Sequence, residues 1–134
     1  MDSFSVLDGL CLLVVDDHID TLELITVILE QYGTQIMTAT SVGEALEVMT
    51  RFKPDILISD IAMPEEDGYS LIRKARALST EPGEFLPAIA LTAYAGDEDR
   101  IKAVKAGFQM HVTKPVEPAE LVAVVAKLAT SRNS

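Results

Sequence analysis

Five strand-like runs recur along this chain, and a helical stretch follows each of them. The runs are Leu10–Val15, Gln35–Ala39, Ile56–Asp60, Pro87–Thr92 and Met110–Thr113. Their spacing of roughly 20–30 residues leaves room for a helix between successive strands, which predicts a parallel sheet covered by helices on both faces. Right-handed crossovers then leave few topologies. At 134 residues the chain suits one domain with a sizeable core. Its hydrophobic share of 49 % argues against disorder.

The helices announce themselves by period and by punctuation. Helix 1 is expected over about His18–Gln31, with Leu22, Ile25 and Leu29 on its apolar face and Leu24 and Ile28 beside it. Tyr32–Gly33 ends it. Ser41 and Glu44 form a capping box for helix 2, which turns Val42, Ala45, Leu46 and Met49 inward and stops before Pro54. Helix 3 covers Tyr69–Leu78, and Ser79–Leu86 reads as a loop. Helix 4 covers Asp97–Ala106, ended by Gly107. Helix 5 covers Pro118–Thr130. Residues 1–9 form a leader whose Phe4, Val6 and Leu7 suit packing on the domain edge, residues 10–130 form the domain, and 131–134 form a polar tail.

Charge narrows the function. The net charge of −10 disfavours direct binding to nucleic acid or to an anionic membrane surface. The apolar runs fall well short of the roughly 20 residues a membrane span needs, and no signal peptide is visible. A cytoplasmic protein is expected. Cys11, the single cysteine, reads as a small core residue.

Four of the five strands end on a residue that can do chemistry: Asp16–Asp17, Asp60, Thr92 and Lys114. In a parallel sheet these ends share one edge, where open α/β sheets bind ligands. Three carboxylates at close range need a cation, and oxygen ligands favour Mg²⁺. That grouping suits phosphoryl transfer. Asp60 would be the nucleophile, forming an acyl phosphate, while Lys114 pairs with the phosphoryl charge and the Thr92 hydroxyl donates to it.

The residues carrying this argument resemble the response-regulator receiver domain of two-component signalling. The pieces are ValValAspAsp at 14–17, ProAspIleLeuIleSerAsp at 54–60, MetPro at 63–64, Asp67–Gly68, LeuThrAla at 91–93, Ala106–Gly107 and ValThrLysPro at 112–115. The resemblance implies a flavodoxin-like (βα)5 fold with strand order 2-1-3-4-5. It implies that Asp60 accepts phosphate. Asp17, Asp60 and the Ala62 carbonyl would bind Mg²⁺ directly, and Asp16 mostly through a water. Thr92 becomes the switch hydroxyl, and Lys114–Pro115 resembles the family's cis peptide. The implied donor is a histidine kinase or histidine phosphotransfer protein, docking near helix 1 and the loop after strand 5. The implied readout is the surface of helix 4, strand 5 and helix 5, toward a downstream output protein or domain or a second copy of the chain. The domain would catalyse its own phosphorylation and dephosphorylation without being a turnover enzyme.

Two positions depart from the family pattern. His111 stands where a Tyr or Phe is usual, three residues before Lys114, and Tyr94 lies two after Thr92. His111 is expected to rotate in place of the usual ring and Tyr94 to limit water access. With Ala62 unable to orient water, a long-lived phosphoryl group follows. His18 reads as an exposed first-turn residue rather than a metal ligand.

Three alternatives fit less well. A haloacid-dehalogenase-type phosphatase wants an acid at position 62. A nucleotide- or flavin-binding domain wants a Gly-rich turn where Asp16–Asp17–His18 stands. A receiver-like module acting by contact alone would not need the acids, Thr92 and Lys114.

Overall fold

The computed structural model describes residues 5–63, 66–78, 86–93 and 96–132. Five parallel strands form one sheet: β1 (Cys11–Val15), β2 (Gln35–Ala39), β3 (Ile56–Asp60), β4 (Ala88–Thr92) and β5 (Met110–Thr113). Five helices connect or follow them: α1 (Ile19–Glu30), α2 (Val42–Arg51), α3 (Gly68–Leu78), α4 (Asp97–Ala106) and α5 (Pro118–Arg132). The strand order is β2-β1-β3-β4-β5, the doubly wound arrangement expected from the sequence.

Strand alternation divides the core into two layers. Leu12, Val14, Ile56, Ile58, Ile89, Leu91 and Val112 face α1 and α5. Leu13, Val15, Leu57, Ala88 and Ala90 face α2, α3 and α4. β3 and β4 are buried along their whole length, as central strands covered on both faces must be. Each fully buried aliphatic side chain here contributes about 1.5–3 kcal/mol relative to exposure.

The helices are anchored unequally. In α1, Leu22, Ile25, Ile28 and Leu29 are buried, while Leu24 is 44 % exposed and lies off the apolar face the sequence suggested. In α4 only Ala103 is buried, and Ile101 and Val104 face solvent. The charged sequence of α4 leaves it little apolar surface to bury.

Local differences from the expected boundaries have simple causes. Leu10 donates its N–H to the Leu7 carbonyl at 3.0 Å and so closes a turn rather than opening β1. That turn follows a short 3₁₀ helix over Ser5–Leu7. Leu7 is fully buried and Val6 packs beside it; Phe4 lies outside the described residues. Most of the expected loop after α3 also lies outside them. At α2 the Ser41 hydroxyl accepts from the Glu44 N–H at 3.2 Å, and the Glu44 carboxylate reaches to the Thr40 N–H, one residue before the cap. Gly33 and Gly107 take φ of +82° and +123°, which an L side chain resists. Cys11 is half-buried rather than fully in the core. No helix among the described residues is long and apolar enough to cross a membrane.

Candidate functional site

Parallel pairing aligns the carboxyl ends of the strands, and backbone bonds carry the register past them. The Asp16 N–H donates to Ala39 O at 3.1 Å, Ile61 to Leu91 O at 3.0 Å and Lys114 to Thr92 O at 2.7 Å. The chemistry-bearing residues therefore stand on pinned backbone rather than on free loops. The Lys114–Pro115 peptide is cis.

Four of the residues singled out in the sequence meet in one pocket. Lys114 Nζ lies 2.9 Å from Asp16 Oδ2 and 3.2 Å from Asp60 Oδ2. Asp17 joins Asp16 and Asp60 in a group whose candidate ligand atoms all fall within 4.8 Å of one another. The Asp60 carboxylate is held at both oxygens, since the Ala62 N–H donates to Oδ1 at 3.2 Å. Thr92 is buried at the end of β4, one residue past the Asp60–Leu91 pair, and its carbonyl is the one that accepts from Lys114. His111 is half-buried on β5 opposite Ala90. Tyr94 lies outside the described residues.

α3 also shapes the pocket. The Gly68 N–H donates to Ile61 O at 2.9 Å, and a β-carbon at position 68 would overlap the Asp60 carbonyl oxygen. Ser59, fully buried, donates its hydroxyl to that same carbonyl at 3.0 Å. In the sequence Asp67–Gly68 reads as a loop and as part of a motif, and Ser59 carries no role of its own. A small polar residue directly before a strand-ending acid was the available signal.

Electrostatics set the charge states. Burial is the main influence on Asp60 and raises its pKa above the ordinary value. Repulsion from Asp16 adds to the rise, and Lys114 and the Ala62 N–H pull against it. Burial also works against the charge on Lys114, but Asp16 and Asp60 outweigh it and hold the ammonium above its ordinary pKa. Three carboxylates against one ammonium leave two negative charges in the pocket. Asp16 is fully enclosed; its Oδ2 has the ionic contact with Lys114 but no aligned hydrogen bond, and the enclosed Asp17 Oδ1 also accepts none. Enclosed, under-satisfied oxygens with a residual charge of −2 fit a hard divalent cation such as Mg²⁺.

Neither acid caps α1. The N-cap is His18, whose side chain makes no capping bond; its backbone N–H donates to Asp16 Oδ1 at 2.8 Å. Its ring Nδ1 lies 3.2 Å from that same oxygen and 3.4 Å from Asp17 Oδ1. The residue set aside in the sequence as an exposed first-turn position thus borders the acid pair, and its place directly after that pair was the signal.

A doubly wound α/β domain with an acid pocket and a half-buried lysine at its carboxyl edge defines a narrow class of protein. The family model for the response regulator receiver domain matches residues 12–126, and the chain belongs to that family. It is 49 % identical over 114 residues to a protein of Leptolyngbya boryana described as an uncharacterized 14.6 kDa protein in the sodA1 3′ region, covering 85 % of this chain and 86 % of that protein. It is 36 % identical over 122 residues to the transcriptional regulatory protein PrrA of Mycobacterium tuberculosis, covering 91 % of this chain and 51 % of PrrA. The chain thus spans about half the length of that regulator. The chemotaxis protein CheY4 of Vibrio cholerae superposes with a TM-score of 0.83 at 26 % identity, covering 90 % of this chain and 98 % of that one. Receiver domains of this family serve two-component signalling.

Proposed function

We propose that this chain is a phosphoacceptor receiver in a two-component phosphorelay, with residues 10–130 as the working unit and Asp60 as the site of modification. The observation that carries this reading is the pairing of a buried, strand-ending carboxylate with Lys114 at 3.2 Å inside a pocket of net negative charge. One Asp60 oxygen attacks phosphorus, the bond from phosphorus to the donor imidazole breaks, and the imidazole takes its electron pair. The product is an acyl phosphate. Lys114, kept protonated by its two carboxylate neighbours, turns toward the new phosphoryl charge. The Thr92 hydroxyl donates to another phosphoryl oxygen. A Mg²⁺ held by Asp17, Asp60 and the Ala62 carbonyl, with Asp16 acting through water, would neutralise charge on the transferring group.

The donor is a histidine kinase or phosphotransfer protein in the cytoplasm. The modification biases a pre-existing equilibrium at the face of α4, β5 and α5, which meets the output partner or a second copy. The thin anchoring of α4 supports this choice of moving element. The domain serves as its own phosphotransfer catalyst and does not turn over a substrate pool.

Incubation with Mg²⁺ and acetyl phosphate, read by intact mass, tests the proposal. One phosphoryl group is expected on the wild type and none on Asp60→Asn. Absence of any gain with acetyl phosphate or a phosphorylated histidine donor would point to a module acting by contact alone.

A further inference from the structure

α4 is pinned at one end and loosely held at the other. Past its last turn Phe108 is buried, and the Gly107 carbonyl accepts from Arg76 at 2.7 Å and from Gln109 at 2.9 Å. At its first turn the N-cap is Gly96, which has no side chain to cap with, and Asp97 and Glu98 are exposed. Between these ends only Ala103 is buried. Beside it, Lys102 reaches across to α3 and sets its ammonium 4.6 Å from the centre of the Tyr69 ring. That lies inside the roughly 6 Å over which a ring face attracts a cation.

The two sides of this contact differ in freedom. Tyr69 is 8 % exposed and follows Gly68, whose N–H donates to Ile61 O at 2.9 Å and whose α-carbon leaves no room for a side chain against the Asp60 carbonyl. The ring is therefore seated against the end of β3. Lys102 is exposed and rides on the thinly anchored helix. With the ring fixed and the cation movable, α4 can leave its position only by giving up the contact.

We propose that the Tyr69–Lys102 contact is an autoinhibitory clasp, which holds α4 in its unmodified position and opens when Asp60 carries a phosphoryl group. The inference rests on the phosphoacceptor reading above and adds the residues that set the balance of the switch. Coupling is reciprocal, so a change that releases α4 must also favour the phosphoryl group at Asp60. An exposed cation–π contact biases an equilibrium about two- to fivefold, enough to tune a switch without locking it.

The test uses the full chain, with beryllium fluoride and Mg²⁺ as the phosphoryl mimic. Lys102→Met keeps the aliphatic stem and removes the cation; Tyr69→Leu removes the ring. Each should quicken amide exchange over residues 98–102 of the unmodified chain about two- to fivefold and leave β3 unchanged. Lys102→Met should also bind the mimic about two- to fivefold more tightly. Loss of a cation by itself would weaken the binding of an anion, so the sign separates release of α4 from a change in local field. Lys102→Arg should behave as wild type, since a guanidinium also stacks on a ring. Lys105→Met removes an exposed lysine one turn further on and should change neither readout. Unchanged exchange in Lys102→Met, or mimic binding that is unchanged or weaker, overturns the inference while leaving phosphorylation of Asp60 intact. A wild-type chain that neither binds the mimic nor takes phosphate from acetyl phosphate removes the phosphoacceptor reading and the inference with it.

Discussion

Gly68 packs directly on the backbone of Asp60: a β-carbon there would overlap the Asp60 carbonyl oxygen and lie 2.9 Å from Ile61 Cα. The first turn of α3 thus rests on the residue proposed to be phosphorylated. Gly68→Ala would gain about 1 kcal/mol of helix propensity in open space. Here the collision outweighs that gain, since overpacking of a rigid site costs about 1–3 kcal/mol. Urea unfolding should show a net loss of stability, and acetyl phosphate should label the variant more slowly than wild type. Equal or greater stability would mean that α3 shifts freely away from Asp60.

Burial also makes the charge on Asp60 costly to the fold. Its pKa is raised chiefly by burial and then by Asp16, so the folded chain holds this proton more tightly than the unfolded one. The associated stability is present at low pH and is lost as pH rises through the folded value. Without divalent ions, Asp60→Asn should therefore be more stable than wild type at pH 7 and melt at a higher temperature. The gap should close as pH falls well below the ordinary Asp value of about 3.9, where the carboxyl is protonated in both states. Calorimetry across that range would expose the opposite trend if Lys114 dominated.

Adding Mg²⁺ should reverse that ranking. An ion bound only by the folded chain stabilises it by about 2.7 kcal/mol at a hundredfold excess over its dissociation constant. Wild type should gain several degrees of melting temperature and lose them on chelation, while Asp17→Asn shows little response. An equal shift in both would locate the ion outside the pocket.

Arg76 ties three segments together. Its guanidinium, half-buried at the end of α3, donates to the Leu86 carbonyl and, at 2.7 Å, to the Gly107 carbonyl. Burial alone lowers its pKa, though guanidinium stays charged at any working pH. Arg76→Met keeps much of the aliphatic bulk and removes both donors. Gln109 still reaches Gly107 O at 2.9 Å, so one carbonyl retains a partner. The expected cost is about 1–3 kcal/mol in urea unfolding, with faster amide exchange at Gly107 and Phe108. Unchanged exchange there would mean that the arginine adds little to the turn.

The sheet was readable because strand burial is written directly into runs such as Ile56–Leu57–Ile58 and because topology rules order them. The meeting of Asp16, Asp17, Asp60 and Lys114 was readable for the same reason, as strand ends share an edge. Features depending on side-chain direction were not. Leu24 and Ile28 both flank the apolar face of α1 in the sequence, yet Ile28 is buried and Leu24 turns outward, and His18 follows the acid pair yet folds back over it. Gly68 reads as a loop glycine until the approach of α3 to β3 is seen. Leu7 suits packing on the domain edge and is fully buried, but a short leader carries no period that says how deep it goes.

The unequal anchoring of the helices has a thermodynamic consequence. Detaching α1 or α5 exposes several large aliphatic side chains, whereas α4 gives up a single buried alanine. The free-energy cost of local opening is correspondingly smallest at α4. A modest push at the sheet edge, of the size one phosphoryl group can supply, therefore has one inexpensive place to go.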